Sequence, residues 1–202
     1  MGLPTDGKYL LSFGHVRDGK NLDLAIQALI EAPDWRLIVA GREQSSGQRP
    51  VSWYQDMARQ LGVHQRCHWF HEFIETDGIW KFFTASDVAL LLYSADFHSA
   101  SGVLSANAQF GLPVIASGGE GPLCQDVNEY AIGRWLGRPS ATGVADALAA
   151  LPQSIDELSA RWRRYCVDHT WSQNAQLVLA GLNMSSASGS RRLAERSIAA
   201  SN

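Results

Sequence analysis

The chain has 202 residues, of which 46% are hydrophobic and 18% charged, with a formal net charge of −3. That length and composition allow one large domain with a substantial core and exclude a disordered chain. The negative balance speaks against a general nucleic-acid binder, which carries a basic patch, and no apolar run approaches the roughly 20 residues of a membrane span.

The three cysteines, Cys67, Cys124 and Cys166, are widely spaced and odd in number, which suits a reducing compartment. The N-terminus lacks a basic-then-apolar signal pattern. The expectation is a cytoplasmic protein without an integral membrane segment. Arginine clusters (Arg161, Arg163, Arg164; Arg191, Arg192, Arg196) sit among helix formers and read as solvated helix faces.

Strand-like and helix-like segments alternate along the chain. Tyr9–Phe13 is a short apolar run ending at Gly14, a buried strand. Asn21 is a candidate cap for a helix in which Leu22, Ala25, Ile26, Leu29 and Ile30 recur at helical spacing. Pro33-Asp34 ends it, and Trp35–Ala40 is the second strand. The polar stretch Arg42–Pro50 is a loop, and Ser52–Leu61 a helix closed by Gly62.

Cys67–Phe73 reads as a third strand, Asp77–Ser86 as a helix, and Val88–Tyr93 as a fully buried strand. The loop Ser94–Ser101 leads to a helix over Gly102–Phe110, then a strand over Val114–Ala116. A short strand near Arg134–Leu136 and helices over Thr142–Leu151, Ile155–His169 and Ser172–Leu182 complete a domain spanning residues 1–184. The Ser- and Ala-rich residues 185–202 have no apolar stripe and are expected to be a disordered tail.

Continuously apolar strands separated by helices imply a parallel sheet covered on both faces. With right-handed crossovers this is an α/β fold, a single Rossmann-like doubly wound sheet, whose ligands bind at the carboxyl ends of the strands.

Three segments at that edge could carry chemistry. Gly14-His15-Val16-Arg17-Asp18-Gly19-Lys20-Asn21 joins a strand to a helix, where glycines admit a phosphate and Lys20 supplies a cation. Read literally it is a P-loop with Asn21 in place of the magnesium-binding Ser or Thr, and Asp96 as a candidate acidic partner. A plain tight turn with a solvent-facing lysine is the alternative. Ser99-Ala100-Ser101-Gly102-Val103-Leu104 opens a helix where a diphosphate could rest against backbone N–H groups, or where a serine merely caps the helix.

Gly118-Gly119-Glu120-Gly121-Pro122 delivers one carboxylate on a flexible turn, able to meet sugar hydroxyls or a proton, or simply solvated. No Gly-x-Gly-x-x-Gly turn follows a strand, which weakens a dinucleotide reading. His68 and His71 would face opposite sides of a strand, and Cys67, on the face of His71, has no further ligand to complete a metal site.

Taken in order, these segments resemble the donor domain of retaining GT-B glycosyltransferases of the group 1 type. The likeness rests on Phe13-Gly14-His15, Lys20-Asn21, Leu37-Ile38-Val39-Ala40-Gly41, Ser86-Asp87-Val88, Gly111-Leu112-Pro113-Val114-Ile115-Ala116-Ser117 and Trp171. It covers about Lys8 to Leu182 and implies one half of a GT-B fold that binds a nucleotide-diphosphate sugar.

The resemblance implies diphosphate binding by Gly14, His15, Arg17 and Lys20, with backbone donors from Ser101, Gly102 and Val103. His15 stands where the family has arginine. It also implies sugar-facing, catalytic roles for His98 and Glu120, with no cofactor and no metal. The family carries two glutamates eight residues apart before its Gly-x-Pro; counting back from Gly111, their places fall on His98 and Ala106, and Glu72 replaces a usual glycine. In such enzymes an acceptor-binding half precedes the donor half, so that half is expected from a preceding segment or a partner chain, and Leu177, Val178 and Leu182 are expected to face it. A non-catalytic binding module built on the same scaffold is the competing reading.

Overall fold

The structure, a computed structural model, describes residues 1–4, 7–44, 47–151, 154–170, 172 and 173. Trp171, residues 174–182 of the last expected helix, and the 185–202 tail lie outside the described residues. Two compact units are distinguished, Met1–Trp162 and Arg163–Asn202. In the second, Tyr165 stacks on His169 at 4.0 Å and its carbonyl meets His169 Nδ1 at 2.9 Å, a contact between helical neighbours.

The first unit is built on six strands: β1 (Lys8–Phe13), β2 (Trp35–Ala40), β3 (Cys67–Phe70), β4 (Val88–Leu92), β5 (Val114–Ser117) and β6 (Gly133–Trp135). They form one parallel sheet in the order β3-β2-β1-β4-β5-β6. The helices are α1 (Leu22–Glu31), α2 (Val51–Gln60), α3 (Trp80–Thr84), α4 (Gly102–Asn107), α5 (Pro122–Glu129), α6 (Ala141–Ala149) and α7 (Ile155–Asp168). This is the doubly wound order, and the direction of winding reverses between β1 and β4.

Period-two alternation divides β1 and β2 between two cores. Leu10, Leu37, Val39, Leu90 and Ile115 belong to a cluster with α1, α2 and α6 residues such as Ile26, Tyr54 and Val144. Leu11, Ile38 and Ala40 pack on the other side with Phe82 and Phe83 of α3, backed by Val103 and Ala106 of α4. Both sides of the central strands are largely buried, which is why their sequences are mostly apolar rather than alternating.

Several expectations are corrected. The third strand ends at Phe70, not Phe73, because β3 pairs only with β2 and its last partner is Ala40. Asn21 does not cap α1 with its side chain; it adopts φ 46°, ψ 41° between a 3-10 turn at Asp18–Lys20 and the helix, which its carbonyl opens by accepting Leu24 N–H at 3.1 Å. The helix expected over Asp77–Ser86 is split into a 3-10 turn at Thr76–Gly78 and the short α3, which ends at Thr84 before Asp87 ties the chain to β1: its carboxylate accepts Tyr9 N–H at 2.7 Å and its own N–H donates to Tyr9 O.

Helix α4 stops at Asn107 rather than Phe110, where Asn107 turns the chain by donating Nδ2 to Leu112 O at 2.8 Å. Helix α5 was not legible in the sequence. Its buried apolar contacts reduce to Leu123 and Val127, too few for a periodic signal, although Gly121-Pro122 is a start signal.

Gly41 follows β2 and packs closely against Gly14, which follows β1. It adopts φ +135°, and a Cβ there would stand 2.4 Å from Gly14 O. Gly41→Ala is therefore expected to lower stability by about 2–4 kcal/mol through backbone strain and collision. Chemical denaturation of the two proteins measures this.

Candidate functional site

The turn after β1 and the start of α4 meet at the carboxyl edge of the sheet, beside the switch point between β1 and β4. A concavity of about 470 Å³ opens there, lined by Phe13, Gly14, His15, Arg17, Lys20, Gln44, Tyr93, Gly102, Val103 and Ala106. Larger open space, about 640 Å³, lies at the opposite edge around Lys8, Trp35, Val88 and Pro113. That edge carries the amino ends of the strands, where doubly wound sheets do not bind their ligands, so position outweighs volume.

Of the residues expected to bind a diphosphate, Gly14, His15, Arg17, Lys20, Gly102 and Val103 line this one pocket. Ser101 stands behind it, 4% exposed. Its hydroxyl caps α4 by accepting Leu104 N–H at 3.3 Å and meets Tyr93 Oη at 3.1 Å. That hydroxyl is thus committed to the fold, and Ser101's value to the site is to begin the helix beneath Gly102 and Val103.

Lys20 is the most perturbed group in the pocket. Its ammonium donates to Phe13 O at the end of β1, and a Cβ on Gly14 would approach Nζ to 3.1 Å. Burial, and then the nearby Arg17 charge, lower its pKa from 10.5 to about 8. Two cations share a half-buried pocket, an arrangement that favours a polyanion able to neutralise both.

A bound diphosphate would raise the Lys20 pKa above its free value, so binding takes up a proton once the pH exceeds about 8. Affinity for a nucleoside diphosphate is expected to fall by up to roughly tenfold per pH unit above that point. Lys20→Arg, charged throughout, should lose this alkaline limb; calorimetry from pH 7 to 10 reads the difference.

The turn does not form a P-loop cradle. The amides of Gly14, Val16, Asp18, Lys20 and Asn21 donate respectively to Ala40 O, Arg42 O, Gln48 Oε1, Arg17 O and Asp18 O, so none of these five is turned to a phosphate. Cation side chains, not a nest of N–H groups, are what this turn offers.

His98 and Glu120 are brought together on neighbouring loops, outside the lining of the pocket. His98 Nδ1 lies 2.8 Å from Glu120 O. A carbonyl only accepts, so Nδ1 carries the proton, and in the neutral ring Nε2 is left as an acceptor. The ring is seated by its neighbour: a Cβ on Gly119 would fall 2.2 Å from His98 Cε1. Both side chains are exposed.

Sequence reasoning passed over Gln44 and Tyr93 as pocket residues. Tyr93 is the first residue after β4, and a polar-tipped aromatic at a strand's carboxyl end was a usable signal. Gln44 was hidden, because the loop carrying it is brought to the site by pairing of Val16 with Glu43. Among the described residues, no group of three or more His, Cys, Asp or Glu side chains is placed to hold a metal ion, and no helix is long and apolar enough to cross a membrane.

The chain is 29% identical over 144 residues to the D-inositol 3-phosphate glycosyltransferase of Mycobacterium tuberculosis (strain ATCC 25618 / H37Rv), an alignment covering 67% of this chain and 29% of that protein. Among solved structures it is similar to Anabaena Alr3699/HepE in complex with UDP-glucose, with a TM-score of 0.73 and 16% identity over 89% of this chain and 49% of the other. It is also similar to sucrose-phosphate synthase from Thermosynechococcus elongatus, with a TM-score of 0.69 and 19% identity over 92% and 47% of the two chains.

These structural likenesses establish a shared fold, and this chain spans about half the length of both solved proteins. The family model described as glycosyl transferases group 1 matches residues 1–166, more than half of the sequence, and the chain belongs to that family.

Proposed function

We propose that this chain is the donor-binding half of a glycosyltransferase, taking a nucleotide-diphosphate sugar at the pocket beside the switch point. The observation that carries this reading is the convergence of Arg17, Lys20 and the α4 start on one pocket at the carboxyl edge. In this reading Lys20 exchanges its bond to Phe13 O for a phosphate oxygen, and Arg17 or His15 meets the second phosphate. The first amides of α4, at Gly102 and Val103, complete the anion site.

Two side-chain cations and a helix start supply the positive potential, so the reading requires no metal ion. His98 and Glu120 then lie toward the sugar, where Nε2 of neutral His98 accepts a hydroxyl proton or hydrogen bond. The acceptor is bound by a second half, from a longer chain or a partner, and closure of the two halves excludes water from the transfer. A retaining transfer follows from the family likeness.

One observation favours a second reading, a nucleotide-binding module without turnover. Ala106 lines the pocket where the family likeness calls for a glutamate, so the carboxylate expected to hold the ribose hydroxyls is missing. Amide chemical-shift mapping with UDP-glucose, GDP-mannose and ADP-glucose tests the site common to both readings. Shifts at residues 14–20 and 102–103 are expected with at least one donor; shifts confined to the opposite edge around Trp35 and Pro113 would contradict it.

A further inference from the structure

Asp18 lies within the turn that carries Arg17 and Lys20, yet it does not line the pocket. Its bonds run the other way, to the segment after β2. Its N–H donates to Gln48 Oε1 at 2.7 Å, and its Oδ1 accepts Arg49 N–H at 3.2 Å and the Tyr54 hydroxyl at 3.1 Å. Arg49 Nε stands 3.5 Å from the same oxygen, while its Nη1 reaches Asp23 Oδ2 at 3.6 Å. The guanidinium also lies over the Trp53 ring, 4.5 Å from its centroid.

This junction has an anchored side. Tyr54 is fully buried in α2, and α2 is itself started by Glu43, whose Oε1 accepts Val51 N–H at 2.6 Å. Val16 and Glu43 already fasten the bases of the two loops, with Val16 N–H donating to Arg42 O and Gln44 N–H to Val16 O. Asp18 fastens them again beyond that bridge, next to the pocket cations. Gln44, one residue past the bridge, supplies the pocket's wall from the second loop.

We propose that Asp18 is a positioning residue, clamping the turn that bears Arg17 and Lys20 to the loop that bears Gln44, so that both cations are held in register for a nucleoside diphosphate. The ligand part of this statement rests on the donor-binding reading above. The clamp makes a prediction opposite in sign to simple electrostatics. As a nearby anion, Asp18 weakens the pocket's positive field, so its neutralisation should tighten anion binding if field alone mattered. As a clamp, its neutralisation loosens the turn and weakens binding, because misplaced groups lose much of their contribution.

The experiment compares wild type with Asp18→Asn, Asp18→Glu and Arg49→Ala, using UDP, GDP and ADP as probes by calorimetry and amide hydrogen exchange of residues 16–20 and 44. Arg49 is a partly exposed arm, so its variant guards against failure of Asp18→Asn to fold. Expected for Asp18→Asn, and less strongly for Arg49→Ala, are a fivefold or greater weakening for the best probe and at least tenfold faster exchange of the turn amides. Asp18→Glu should recover part of both. Unchanged exchange, or binding that is equal or tighter in Asp18→Asn, overturns the proposal. So does a lower unfolding midpoint with an unchanged dissociation constant, which would make Asp18 a structural brace. If wild type binds none of the three probes, the donor reading fails, and the exchange measurement alone decides whether the clamp exists.

Discussion

Lys20→Met is expected to weaken nucleoside-diphosphate binding by one to two orders of magnitude while leaving the chain folded. The ammonium stands at the floor of the pocket, held by Phe13 O and crowded by Arg17. Against a diphosphate it forms charge-assisted hydrogen bonds, and losing about 1.5–3 kcal/mol of such interaction corresponds to roughly ten- to hundredfold in affinity. Calorimetric titration of both proteins at pH 7 provides the ratio.

The same substitution carries a stability signature. Because the folded-state pKa of Lys20 is lowered to about 8 from 10.5, folding disfavours its charged form. The penalty is fully present below pH 8, is relieved as the pH rises through the interval, and is gone above 10.5. The stability of wild type relative to Lys20→Met should therefore improve from pH 8 to 10.5, a trend that urea unfolding at fixed pH reads directly. A group that costs stability in the free protein is expected to be retained for a role in binding.

Ala106→Glu is expected to move affinity the other way. Ala106 lines the same pocket as Lys20 and Gly14, from within α4. A carboxylate there is the group that the family likeness assigns to the ribose hydroxyls, and restoring it should tighten nucleotide binding by about tenfold or more. The new charge also sits near Arg17 and Lys20, which offsets part of its desolvation. Binding of free diphosphate, which has no ribose, should improve far less. If affinity for UDP, GDP and ADP is unchanged, the pocket does not hold a ribose against Ala106, and the family's donor geometry does not carry over to it.

Much of this fold was legible in the sequence, and the reasons are physical. The runs Leu10–Phe13, Trp35–Ala40 and Val88–Leu92 are largely buried, so they are mostly apolar, with Ser12 and Arg36 as exceptions, and are followed by glycine or a polar-tipped residue at the sheet's carboxyl edge. The turn Gly14–Asn21, proposed to meet a diphosphate, was readable because it lies within eight consecutive residues.

What local patterns could not reveal depends on distant partners. The end of β3 is set by β2, and the end of α3 by Asp87 reaching Tyr9. Gln44 joins the pocket, and Asp18 its supporting network, for the same reason. The family likeness located His98 and Ala106 by counting; their surroundings, a carbonyl partner for one and the pocket wall for the other, required coordinates.

The pocket beside the switch point is proposed to receive a nucleotide-diphosphate sugar. Calorimetric titration of the intact chain with UDP-glucose, GDP-mannose and ADP-glucose at pH 7, repeated on Lys20→Met, tests it most directly. The expected result is saturable binding of at least one donor at millimolar concentration or below, weakened at least tenfold in the variant. No binding of any donor at millimolar concentration, or binding indifferent to Lys20, would contradict it.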